Sequence, residues 1–240
     1  MKHPSGRTLR PKDAATLVLV DCTGDAPRIL MGRRRATQDF LPNKFVFPGG
    51  RVDRADSAIP ALEELAPAQL QRLLFDMKGN PSPARARALG LAAIRETFEE
   101  TGLLVATPPS HSRSGNRGEN RPHRTSHQAW QHFLAGGHVP RLSKLTFFAR
   151  AITPPARPRR YDTRFFMVDA THIAEHTAEP DQELGEIGWF RLDEVRALDL
   201  PNITRAVVED LAQQLAARDT AVPVPYYRFK RGTFRRDLIT

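Results

Sequence analysis

Short apolar runs and amphipathic stretches alternate along this chain, separated by turn residues. Ala15–Cys22 (ATLVLVDC) is a continuous apolar run whose length and flanks predict a strand. The turn TGDAP leads into Arg28–Gly32 (RILMG), the answering strand of a hairpin. A basic cluster, Arg33 to Arg35, and a turn at Phe40–Asn43 precede a third strand, Lys44–Pro48 (KFVFP), which runs into two glycines. The stretch from Leu62 to Met77 then changes period. Leu70, Leu73, Leu74 and Met77 fall at helical spacing and predict a packing helix. After the breaker GNPSP, Ser82 is placed to cap a helix with Pro83 at its first position, running through Thr101 with Leu91, Ile94 and Phe98 on its apolar side. Strands are expected again at Leu145–Ile152, Arg164–Ala170 and Glu186–Phe190. A short helix at Leu192–Leu198 and an amphipathic helix at Asn202–Arg218 follow.

Between these elements the pattern lapses. Thr107–Pro140, rich in Ser, Pro, Gly, Asn, Arg and His, reads as a surface insertion in which AWQHFL supplies one helical turn. Its five histidines are irregularly spaced and read as exposed residues of a basic loop. The expected organisation is a basic arm over residues 1–14, one domain over 15–222 with insertions at about 57–82 and 107–140, and a basic aromatic tail over 223–240. That tail, with Tyr226, Tyr227, Phe229 and Phe234, either packs on the domain or stacks bases, and packing is the commoner fate.

Composition narrows the classes. Forty per cent hydrophobic residues in 240 support a sizeable core. The single cysteine, Cys22, excludes an internal disulfide framework and fits a reducing compartment. No apolar run approaches a membrane span and the first residues show no apolar signal region, so a cytoplasmic protein without membrane partner is expected. A net charge of +9 favours anionic partners: phosphorylated small molecules first, nucleic acid second.

The chemistry concentrates in RETFEETGL, Arg95–Leu103. Glu96, Glu99 and Glu100 stand at i, i+3 and i+4, which puts three carboxylates on one helix face. Like charges so placed call for a cation, and hard oxygen ligands suit Mg²⁺ or Mn²⁺. Alone, such a run is an ordinary solvated face. The upstream FPGG at Phe47–Gly50 changes that reading.

Together these motifs and the strand order resemble the Nudix hydrolases, whose box runs G-x5-E-x7-R-E-U-x-E-E-x-G-U, with U a bulky apolar residue. Gly50 fits the first glycine, Asp56 stands where the first Glu is expected, and Arg95, Glu96, Glu99, Glu100, Gly102 and Leu103 fit the second half. Thr97 occupies a U position. Thirty-eight residues, 57 to 94, separate Asp56 from Arg95 where the pattern has seven, so the box is split by an insertion. A split box together with FLPNKFVFPGG and TPPARPRRYDTRFF looks like the branch that includes peroxisomal coenzyme A diphosphatases, with Arg34-Arg35 where that branch has Arg-Ser.

The resemblance implies an α/β/α sandwich around a mixed sheet, and metal-dependent hydrolysis of a nucleoside diphosphate linked to another group. Glu96, Glu99, Glu100 and the Gly49 carbonyl would hold the metal, and Arg95 would orient a glutamate. The base would be a box glutamate such as Glu99 or one from a later loop, Glu183 or Glu186. Arg34, Arg159, Arg160 and Arg164 are the candidates for gripping phosphate, although each read alone is an ordinary surface arginine. Coenzyme A derivatives lead as substrates, and ADP-ribose, dinucleotides and nucleotide sugars stay open. So do a homodimer and, from another class, a non-catalytic sensor or RNA-binding module on the same fold.

Overall fold

The computed structural model describes residues 9–38, 41–107, 125–155, 157–176, 181, 183–217 and 222–240. Its centre is β1 (Lys12–Asp21), whose Leu17–Val20 are buried on both sides, as a strand flanked by strands and covered on both faces requires. Three of the fourteen residues assigned to an arm, Lys12 to Ala14, already belong to this strand. β2 (Arg28–Arg34) pairs with it antiparallel beyond the predicted turn, and β3 (Phe45–Val46) pairs with β2. β4 (Gly49–Arg51) takes the same edge of β1 lower down, Gly50 opposite Ala15.

β7 (Thr146–Ile152), β8 (Tyr161–Asp169) and β10 (Leu184–Arg191) sit where strands were expected. The residues read as a tail form β11 (Val224–Lys230) and β12 (Thr233–Ile239). The sheet runs β10-β2-β1-β8-β7-β11-β12 with β3 and β4 beside it, and the β1–β8 and β7–β11 pairs are parallel, so it is mixed. A smaller sheet orders β6 (Val139–Pro140), β5 (Leu103–Thr107) and β9 (Ile173–His176), none of which the apolar pattern had marked.

Helices cover both faces. α1 (Pro67–Leu74) and α2 (Pro83–Thr101) pack on the side of Leu17, Leu19 and Phe166. α4 (Leu192–Ala197) and α5 (Asn202–Ala216) pack on the side of Val18, Val20 and Phe165. The result is the three-layer α/β/α arrangement expected. α3 (Gln128–Ala135) lies in the second insertion and corrects its reading as surface. Trp130 and Phe133 are fully buried, with Phe133 edge to face against both Trp130 and Phe98 of α2, and only residues 108–124 of that segment lie outside the described residues.

Candidate active site

The site is built on α2. Ser82 Oγ accepts from the Arg85 amide at 3.2 Å, Pro83 occupies the first turn, and Gly102 closes the helix at φ 74°, in the left-handed region that glycine favours. Thr97, at a position where a bulky apolar residue is usual, is fully buried. Its hydroxyl donates to the Ala93 carbonyl at 2.8 Å, so no polar group is stranded.

Both halves of the split motif meet at Arg95. Its Nε and Nη2 donate to the Asp56 carboxylate at 2.8 and 3.1 Å, and Nη2 also reaches the Arg51 carbonyl at 2.8 Å. Asp56 is wholly buried in a 3-10 turn (Arg54–Ala58) that follows β4, and its carboxylate also accepts from the Asp53 amide at 2.7 Å and the Trp130 indole N–H at 2.8 Å. The insertion between Asp56 and Arg95 therefore leaves and returns without parting them. A helix from the second insertion locks the pair from above. Nothing in the motif spacing marked Trp130; the hint was its place with Phe133 and Leu134 at helical spacing inside a polar segment.

Arg95 Nη1 also lies between Glu96 Oε1 at 2.9 Å and Glu99 Oε2 at 2.6 Å. Burial opposes the charge on Arg95, but Asp56, Glu96 and Glu99 outweigh it and hold the guanidinium protonated beyond its ordinary range. Burial pushes Glu96 up to about 7, Arg95 drawing it down and Glu99 raising it further. Glu100 is buried and accepts the Gly49 amide at 2.9 Å; burial, with Glu96 next, drives its carboxyl well above the usual range. Gly50 is the close approach that makes this possible, since a Cβ there would stand 2.5 Å from the Glu96 carboxyl carbon.

In donor chemistry, though not in their present spacing, these residues suit a hard divalent cation. Carboxylate oxygens are the hard donors such an ion takes, and the Arg95 guanidinium occupies the point between Glu96 and Glu99 where positive charge belongs. Among the described residues no group of three His, Cys, Asp or Glu side chains is gathered closely enough to hold a metal ion.

Glu96 opens onto a cleft of about 450 Å³, over the β4–β1–β8 side of the sheet that faces α5. Arg34, Arg159 and Glu183 line it with Tyr161, Thr163 and Phe165, alternate residues of β8. Arg34 Nη2 donates to Glu183 Oε1 at 2.5 Å, while Arg34 Nε is buried without a hydrogen-bond partner among the described residues. Glu183 stands close enough to Glu100 to raise its pKa. Three sequence candidates fall elsewhere. Arg164 has the other parity on β8 and points away from the cleft, fully buried and bonded to Asp13 at 2.9 Å. Arg160 holds the Leu9 and Thr153 carbonyls at 2.5 and 3.0 Å. Glu186 is 67% exposed and paired with Arg33 at 3.1 Å.

Comparison with known proteins bears on this geometry. The family model described as the NUDT19 Nudix domain matches residues 11–198. A Gallus gallus protein named acyl-coenzyme A diphosphatase NUDT19 is 28% identical over 201 residues, covering 67% of this chain and 53% of its own length. A Caenorhabditis elegans protein named putative nudix hydrolase 7 is 28% identical over 162 residues, 65% of this chain and 44% of its own. The chain thus spans about half the length of the curated relatives it matches. Among solved structures, a NUDIX hydrolase from Alicyclobacillus acidocaldarius superposes with a TM-score of 0.56 at 26% identity, covering 83% of this chain and 90% of that one.

Proposed function

This chain belongs to the NUDT19 Nudix domain family, and from that premise we propose that it hydrolyses the pyrophosphate bond of a nucleoside diphosphate derivative, with coenzyme A or an acyl-coenzyme A as the leading substrate. The observation that carries the proposal is the convergence of Asp56, Arg95, Glu96, Glu99 and Glu100 beside a cleft whose far side bears Arg34 and Arg159. The name of the Gallus gallus relative supports the choice of substrate.

In this reading Glu96, Glu99 and Glu100, with the Gly49 carbonyl, would hold Mg²⁺ or Mn²⁺ once the ion takes over from the Arg95 guanidinium as their counter-charge. A bound divalent ion would neutralise the diphosphate and make an attacking water more acidic. Arg95, fixed by Asp56, holds Glu99 beside Glu96, which lines the cleft, and does not itself touch substrate. Arg34 and Arg159 grip phosphate oxygens, and the unengaged Arg34 Nε provides one donor for them. Glu183, on the cleft wall and near Glu100, takes the proton from the attacking water. Glu186, paired with Arg33 outside the cleft, has no part in this scheme.

The test is incubation of the purified protein with either metal and a panel of coenzyme A, acyl-coenzyme A, ADP-ribose, dinucleotides and nucleotide sugars, with products resolved by mass. Cleavage of coenzyme A to 3′,5′-ADP and 4′-phosphopantetheine is the expected result. Preference for ADP-ribose would keep the reaction and reject the substrate. Silence across the panel, with salt-sensitive RNA binding, would favour a non-catalytic module. In the same assay Glu99→Gln, which removes a ligand charge and little volume, is expected to lower turnover by orders of magnitude while the far-ultraviolet circular dichroism stays unchanged. Unaltered activity would discard the metal assignment.

A further inference from the structure

The large sheet ends at β12, whose outer edge pairs with no other strand among the described residues. An edge of seven residues with free backbone donors and acceptors is a template for another strand. The side chains beside it are unusual for a free surface. Six large apolar side chains are exposed among the described residues, and Phe229, Phe234 and Leu238, at 42, 49 and 51% exposure, supply half of them. Phe229 faces Phe234 and Pro225 faces Leu238 across the hairpin, so all three share the sheet face of Tyr227, which stacks on Phe234 with centroids 6.1 Å apart.

The strand's sequence says what covers this edge. β12 reads Thr-Phe-Arg-Arg-Asp-Leu-Ile and is complementary to itself in reverse. Residues opposite each other in an antiparallel ladder share a face, so a two-fold axis between two copies must pass through a residue. With the axis on Arg236, Phe234 meets Leu238 of the other copy and Arg235 meets Asp237, each pair formed twice. The two central Arg236 side chains are each neutralised within their own chain, by Asp210 at 2.8 Å. An axis on Arg235 would set Phe234 against Arg236, and one on Asp237 would oppose two carboxylates and set Arg236 against Leu238. Only one of these three registers matches apolar with apolar and cation with anion.

We propose that β12 is the interface of a two-fold symmetric homodimer, in which two copies pair antiparallel about Arg236 and the central sheet runs continuously through both. Arg235 and Asp237 set its register, and Phe234 with Leu238 bury its apolar face. The proposal is independent of the substrate, because the hairpin lies beyond β7 and contributes nothing to the cleft.

Sedimentation velocity on the full chain tests it. The unaltered protein is expected to sediment as a dimer. Arg235→Asp alone opposes like charges and should halve the mass; Asp237→Arg alone should do the same, although it also removes the carboxylate that Arg228 of the same chain holds at 2.6 Å. Carrying both substitutions together restores the pairing and should restore the dimer. Separately, Arg236→Cys in a Cys22→Ser background should cross-link to its own copy on mild oxidation, since opposed Cα atoms about 4.5–5.5 Å apart lie within disulfide reach. A monomeric parent protein, a dimer indifferent to both single charge swaps, or an Arg236→Cys protein that stays uncross-linked would each overturn the proposal.

Discussion

Gly50 shows how little separates this strand from the carboxylate beneath it. A methyl group at that position would meet the Glu96 carboxyl 2.5 Å away, and the atom in its path is the end of a movable side chain. Gly50→Ala is therefore expected to change stability by only about 1 kcal/mol, the order of one displaced rotamer. If Glu96 serves the reaction as proposed, turnover should fall about 100-fold, because a reacting-site group misplaced by about 1 Å loses its geometry. A thermal melt beside a turnover assay separates the two effects; equal losses in both would show that Gly50 serves the fold alone. At this scale the helix carboxylates, Arg95 and the glycine turn were legible, because a short motif fixes their spacing. Asp56 was legible as a position, and its contact with Arg95 confirms that the interrupted motif closes. Trp130 was not, since its partner lies 74 residues away and no local period reports which segment folds back. That Arg160, Arg164 and Glu186 lie away from the cleft was hidden for a related reason. A charged residue's type says nothing of which side of a strand it takes.

Among the elements, α2 was read from cap to cap, Pro83–Thr101, because Ser-Pro opens and Gly closes it in plain sequence. The β11–β12 hairpin was read as a tail. Its inner strand hides the usual alternation, because Tyr226 lies between the guanidinium groups of Arg150 and Arg228, 4.4 and 4.5 Å from its ring centre. A polar neighbour there is packing, not exposure. The same strand carries a pH signature. Burial pushes both Tyr226 and Tyr227 up to about 12 from 10.0, and Tyr227 also donates to Asp210 at 2.6 Å. A raised folded-state pKa favours the neutral phenol, so this stabilisation is whole below about pH 10 and is lost as pH climbs towards about 12. Phenolate absorbance followed with circular dichroism should show these tyrosines ionising together with loss of structure in that window. Ionisation near pH 10 with the fold intact would contradict the burial of the hairpin.

Across the whole molecule the sheet separates two environments. On the α5 side, Tyr161, Thr163 and Phe165 face the cleft. On the α1 side, Arg150 and Arg164 are fully buried, and Asp162 answers both: its carboxylate takes two bonds from Arg150, at 2.8 and 2.7 Å, and lies 3.1 Å from Arg164. Arg150 also donates to the Phe75 and Asp76 carbonyls at 2.7 and 3.1 Å, tying the loop after α1 to the sheet. Asp162→Ala would leave two buried cations short of their counter-charge and is expected to destabilise the chain by about 3–5 kcal/mol in urea unfolding. The kcat/KM of the remaining folded protein should be unchanged, since the substitution acts beneath the cleft floor. A fall in kcat/KM at full foldedness would mean that the two sides communicate.

Because neighbouring residues of β8 serve these two environments in turn, the strand proofreads its own assembly. Were it to slide by one position against β1, charge would enter the cleft and apolar rings would enter the ionic layer at the same moment. No half-assembled form could then keep a working floor over a faulty foundation. Inheritance has the same grain: mutations that upset this strand should be lost to the cell as missing protein, and seldom surface as a poorer catalyst.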